Sequence, residues 1–144
     1  MAKFRKVDVR IWNDKNFNDL SSYGKLVFLF VLTHPSLTPL GAMRATIEGL
    51  HSELKDVPME AFREAFAKGL IRYDAKACFV WLPNFMKYNK PENPNVLKSW
   101  VGSWDALPEC ALKDELYIVL KDFAEGLTEG FREGFREAFT EGFA

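Results

Sequence analysis

A mainly α fold of the α+β class is predicted from three observations. The seven-residue apolar run Leu26 to Leu32 is preceded by polar capping residues and closed by Pro35. Two helix signatures follow a short apolar strand. Two strand-like runs, Leu70 to Asp74 and Ala77 to Pro83, are then joined by the short polar turn Asp74-Ala-Lys76. Helix, short strand, helix, helix and two-stranded hairpin is the element order of a winged helix-turn-helix. Order and spacing alone leave other small α+β folds open.

Taken in turn, residues 1–19 form a basic arm with scattered aromatics, Phe4, Trp12 and Phe17. The first strong helix starts where Asp19, Ser21 or Ser22 can cap it and runs to His34. Its apolar residues fall on every face after Lys25, which predicts a central helix covered on most sides. Leu40 to Ala45 is long enough for one brief strand. Thr46 caps a second helix, from Ile47 to about Lys55. Pro58 suits the first position of a third, in which Met59, Phe62, Phe66 and Leu70 make an apolar stripe ending at Gly69. With the hairpin, these elements define a winged helix-turn-helix domain over residues 20–90.

Residues 91–124 are expected to form a C-terminal helical extension. Asn84 to Asn95 is a polar, Pro- and Asn-rich connector; Val96 to Trp104 is a short helix, and Pro108 starts another that reaches Phe123. Residues 125–144 repeat Glu-Gly-Phe-Arg, with a hydrophobe at 127, 131, 135, 139 and 143. A helix turns about 100° per residue, so a period of four drifts by about 40° per repeat. Such a stripe winds off any flat partner over four repeats. Each interior glycine costs about 1 kcal/mol against alanine, and the pairs Glu129–Arg132 and Glu133–Arg136 return only about 0.2–0.5 kcal/mol apiece. The tail therefore reads either as a marginal helix on its own body or as a segment that folds on a partner. In the second case Phe131, Phe135, Phe139 and Phe143 are the partner-binding residues.

The 144 residues carry 19 Lys+Arg against 20 Asp+Glu, a net charge of -1. That near-neutral sum hides an asymmetry. Up to Trp100 there are 15 basic and 10 acidic residues, and beyond it 4 basic and 10 acidic, so a body of +5 carries a tail of -6. Nearly half the residues are apolar, which excludes wholesale disorder. No run approaches the roughly 20 apolar residues of a membrane helix, and the basic start lacks the apolar block of an export signal. Cys78, in an apolar strand, and Cys110, at a helix start, read as reduced thiols of a cytoplasmic protein.

Catalytic templates are missing. There is no phosphate loop, no G-x-G-x-x-G and no G-x-S-x-G, and His34 and His51 lack ligand-spaced companions, so no enzyme, metal or cofactor is expected. Nucleic acid is the better partner. The third helix offers Arg63 and Lys68, but also Glu60 and Glu64, which phosphates repel. Positive charge is denser elsewhere: Lys3, Arg5, Lys6 and Arg10 in the arm, Arg72 and Lys76 around the hairpin, and Lys87, Lys90 and Lys98 beyond it. Tyr88 and Trp100 lie among the latter, where they either stack on exposed bases or take part in ordinary packing.

The run Arg10-Ile-Trp-Asn-Asp, continued by Leu20-Ser-Ser-Tyr-Gly-Lys-Leu-Val-Phe-Leu-Phe-Val-Leu-Thr-His-Pro, resembles the N-terminal winged-helix domain of DnaD-type replisome organisers of phages and prophages. Leu40-Gly-Ala-Met-Arg, Ala67-Lys-Gly-Leu-Ile-Arg-Tyr-Asp and Phe79-Val-Trp-Leu-Pro-Asn-Phe-Met-Lys-Tyr-Asn, with Asn93-Pro-Asn-Val, continue the likeness in order to about residue 98. The resemblance implies a winged helix acting at the start of phage DNA replication. It also implies DNA binding, assembly into a homo-oligomer and contact with host helicase-loading proteins, and the basic body adds the expectation that DNA is bound without sequence preference. Larger members carry a second helical DNA-binding domain, and here only one or two helices and the Phe repeat follow residue 100. The alternatives are an assembly module with little DNA binding and a winged-helix transcriptional regulator, although Glu60-Arg63-Glu64 is a poor recognition face for the latter.

Overall fold

The computed structural model describes residues 4–142, without the side chains at 138 and 140–142. The arm makes a 3₁₀ turn at Val9–Asn13 and one helical turn, α1 (Lys15–Asn18). Asp8 and Asp14 cap them, accepting from the N–H groups of Arg10 and Phe17, donors that a helix start leaves free. Phe17 is thereby turned inward against Phe28, with ring centroids 5.7 Å apart.

Ser21 caps α2 (Ser22–Leu32) through the Gly24 N–H, and Thr46 caps α3 (Ile47–Glu53) through the Gly49 N–H. Between them lies β1 (Ala42–Arg44); α4 (Met59–Ala67), β2 (Arg72–Asp74) and β3 (Phe79–Trp81) follow. Pro58 stands one residue ahead of α4 in an extended conformation, not inside it. The helix stops two residues before Gly69, whose φ of +82° turns the chain toward β2. The sheet is antiparallel in the order β1-β3-β2, with Ala42 and Arg72 both opposite Trp81.

The hairpin corrects the expected turn. Asp74 pairs with Phe79, so Ala75 to Cys78 form the loop, tightened by the Asp74 carboxylate accepting from the Ala77 N–H at 2.9 Å. Cys78 therefore lies in the turn at φ +59°, half-buried, and not in a core strand.

The connector is also more ordered than its composition predicts. It contains α5 (Phe85–Tyr88), which buries Phe85 and Met86. Phe85 packs against Gly41, where φ is +79° and a Cβ would stand 2.4 Å from the Phe85 Cβ. After a 3₁₀ turn at Pro94–Val96 come α6 (Leu97–Asp105), α7 (Ala111–Glu125) and α8 (Glu129–Gly142). The α7 start lies three residues beyond the expected Pro108, because Cys110 is still extended.

The sheet separates two cores. Successive residues of a strand point to opposite faces, so Val80 and Leu82 pack with Val27, Val31, Leu50 and Phe62 from α2, α3 and α4. Phe79 and Trp81 face the other way, toward Trp100, Trp104, Leu116 and Leu120 from α6 and α7. The helical extension is the second wall of the sheet, not an appendage.

The Phe repeat completes that wall. Phe135 and Phe139 are 7% and 3% exposed, stacked with centroids 4.6 Å apart, and Phe139 meets the edges of Trp100 and Trp104. The two buried rings and the partly buried Phe131 span only two repeats, over which the stripe drifts about 80°, within the reach of large rings. Gly134 faces the chain turn below, where a Cβ would stand 3.1 Å from Leu97 Cδ1 and 3.2 Å from the Pro94 carbonyl oxygen. The glycine cost thus permits close approach. Arg132 and Arg136 both reach Glu129, at 3.0 and 3.5 Å, so the expected Glu133–Arg136 pair is replaced. No helix among the described residues is long and apolar enough to cross a membrane.

Candidate nucleic-acid interface

The basic residues singled out in the sequence divide by what they touch. Arg5 is a structural clamp. Its guanidinium donates to the carbonyls of Leu32, His34 and Leu37 at 3.1, 2.7 and 2.6 Å, tying the arm to the end of α2 and the Pro-rich turn. Burial lowers its pKa from the ordinary arginine value. It is not available to phosphate, which corrects its assignment. Arg72 is also engaged, 3.2 Å from Glu115 and over the Trp81 ring. Trp100 is 1% exposed and packs in the core, so it is no stacking platform. Phe135 and Phe139 belong to the same core and offer no free ring to a partner. Lys3 and Phe143 lie outside the described residues.

Other predicted residues do come together. The Lys6 N–H donates to Asn89 Oδ1 at 2.7 Å and the Asn89 amide donates back to the Lys6 carbonyl at 3.2 Å, joining arm to connector across 83 positions. Lys6, Arg10 and Tyr88 consequently line one cavity of about 100 Å³, with Lys87 over the Tyr88 ring at 5.5 Å. Two carboxylates share the rim. Asp8 is held by Arg10, at 2.8 Å between Oδ2 and Nη2, and that hydrogen bond lowers its pKa to about 2. Asp14 caps α1. Lys6 also lines a second, larger cavity of about 690 Å³, beside Lys90, Val96 and Ser99. Phe85 and Asn89 border both cavities.

Arg63 and Lys68 are exposed on α4 and at its end, and Lys76 is exposed at the hairpin tip. No ion pair engages these three among the described residues. Glu64 does not share their exposed face, because its carboxylate accepts from the N–H and the Oγ–H of Ser21, the latter at 3.0 Å. Only Glu60 opposes Arg63 on the outer surface of α4, a less acidic face than the sequence predicts.

Asn84, Asn89 and Asp8 escaped sequence reasoning. Asn84 stands at the start of α5 with no side-chain capping bond and opens onto the smaller cavity. The readable signal was an Asn directly before the apolar pair Phe85-Met86, a helix-start pattern. The histidines are structural. His34, 7% exposed, accepts from the Ser36 N–H at Nδ1 and meets Glu53 at 2.6 Å through Nε2, while His51 donates to the Val57 carbonyl. No cluster of three metal-ligating side chains occurs among the described residues. Comparison with protein-family models, curated proteins and solved structures finds no match to this chain.

Proposed function

We propose that the chain is a winged-helix DNA-binding protein of the phage-replication type, which contacts DNA through phosphates and without sequence preference. The observation that carries this reading is the gathering of Lys6, Arg10 and Tyr88 at one cavity from segments about 80 residues apart, with Lys87 over the Tyr88 ring. The order α2-β1-α3-α4-β2-β3, with β3 between the other strands, supports the winged-helix assignment. In this reading α4 presents Arg63 and Lys68, and the short hairpin carrying Lys76 is the wing.

The test is an electrophoretic shift of a random-sequence duplex at several salt concentrations. With four or five phosphates contacted, the logarithm of affinity falls against the logarithm of salt with a slope of about -4. Absence of any shift at low salt overturns the reading.

A second reading, assembly of like chains, is favoured by one feature. Phe4, Val9 and Trp12 stand 80%, 83% and 62% exposed on the basic arm. On α7, Ile118 is 57% exposed and Asp114, Lys121, Asp122 and Glu125 are exposed too, while α8 exposes Glu133 and Glu137. The α7–α8 face is net acidic and the arm offers Lys6 and Lys15 beside its exposed rings, so in this reading the arm of one copy meets the α7–α8 face of the next. Such a head-to-tail contact closes into a ring or runs on as a filament. Light scattering of the full chain distinguishes it: a monomer at low and high salt excludes assembly.

A further inference from the structure

The smaller cavity has the build of a receptor for a flat ring. Phe17, Leu32, Leu82 and Phe85 in its lining are buried and Phe28 is half-buried, while the lining residues Lys6, Arg10, Asp14 and Asn84 are exposed. One of these, the Asn84 amide, makes no hydrogen bond among the described residues and offers both a donor and an acceptor. Tyr88 supplies an aromatic face at the same mouth. A duplex cannot use such a site, because its bases are stacked and paired inside the helix. A single strand can, since an unstacked base pairs an apolar face with a hydrogen-bonding edge.

We infer that this cavity receives one unstacked base of a single-stranded nucleic acid, and that the inference rests on the nucleic-acid reading above. The strand's phosphates run along Lys87 and Lys6 and on to Lys90. The continuity of the path favours a polymer over a small amphiphilic acid: Lys6, Phe85 and Asn89 line this cavity and the 690 Å³ groove beside Lys90. Asp8 and Arg10 pair with each other and Asp14 accepts from the α1 backbone, so Lys6 and, beside Tyr88, Lys87 are the cations left to a polyanion at the mouth. Asn84 then reads the edge of the inserted base, as side-chain amides do elsewhere.

Fluorescence anisotropy of labelled 12-mers with the full chain at low salt tests this. Oligo(dT), an abasic strand of equal length and charge, and a duplex are compared. Stacking one base predicts that oligo(dT) binds about 5- to 150-fold more tightly than the abasic strand. Asn84→Ala, an exposed change that leaves the fold intact, should reduce that ratio at least about threefold while abasic binding is unchanged. Lys87→Gln should weaken both strands alike. Equal affinity for oligo(dT) and the abasic strand overturns base insertion but leaves phosphate binding standing. Preference for the duplex does the same. Failure of all three polymers to bind removes the nucleic-acid reading as well. Uptake of laurate without any polymer binding overturns both in favour of an amphiphile site.

Discussion

Lys113 holds its Nζ 4.7 Å from the centre of the Trp104 ring while donating to the Leu107 carbonyl at 3.0 Å and to Glu109 at 2.7 Å. It is 1% exposed, so its amino group sits beside the second core. Two hydrogen bonds and the ring face replace its lost water. Lys113→Met keeps the volume but leaves the Leu107 carbonyl unpaired, and should cost about 1–3 kcal/mol in urea unfolding. Glu109 is largely exposed, so Glu109→Gln should cost less than about 1 kcal/mol.

Two glycines of α8 should respond with opposite signs. At Gly130 a Cβ would meet Pro94 Cγ at 3.5 Å, an ordinary contact, so Gly130→Ala should stabilise by about 0.5–1 kcal/mol. At Gly134 the Pro94 carbonyl oxygen, at 3.2 Å, is backbone and cannot turn aside. Crowding of about 1–3 kcal/mol then outweighs the helix gain, and Gly134→Ala should lower the thermal midpoint.

Phe139→Ala removes a ring that contacts Phe135, Trp100 and Trp104, and should cost about 3–5 kcal/mol. A chain ending at Phe123 loses this ring and Phe135 together. It should bind a hydrophobic dye and unfold at lower temperature, and any change in its association then reflects an opened core.

Arg5 and Lys6 are neighbours with separable roles. Arg5→Gln cuts the clamp on three carbonyls and should lower stability by about 1.5–3 kcal/mol. Its effect on DNA affinity, measured where both proteins are folded, should be small. Lys6→Gln should leave the unfolding midpoint within about 0.5 kcal/mol and reduce the salt slope by about 1.

The Asp8 carboxyl should titrate at about pH 2 by NMR, below its ordinary 3.8, because Arg10 donates to its charged form. A depressed acid favours folding above its unfolded pKa, and that contribution disappears as pH falls from about 4 through 2. Arg10→Ala should return the titration toward the ordinary carboxylate range.

Caps and stops were legible because they are local chemistry. Ser21 and Thr46 sit three residues from the N–H groups they accept, and Gly69 marks the end of α4 by its own conformation. The hairpin loop was misplaced because Cys78 adopts a positive φ that no glycine announces. What sequence alone could not reveal lay in distant partners. Arg5 reads as a surface cation until the carbonyls 27 to 32 residues away are placed around it. Glu64 likewise reads as an exposed acid until Ser21, 43 residues away, takes it up. The cavity rim is of the same kind, since Lys6 and Asn89 meet only through the fold. The repeat shows a different limit: its period was read correctly, but its burial depends on how few repeats the second core covers.

That a single strand, β3, is clad on both sides has a consequence for how the molecule is made. The α2–α4 side is available as soon as the hairpin has been synthesised, but the opposite side waits for α6 and α7, which α8 in turn covers last. A ribosome-bound chain that has finished β3 therefore displays Leu40, Phe79 and Trp81 to the cell until α6 and α7 emerge, and Trp100 and Trp104 until α8 follows. Over that interval the protein is a client for chaperones, and stalling late in translation is its point of greatest risk of aggregation.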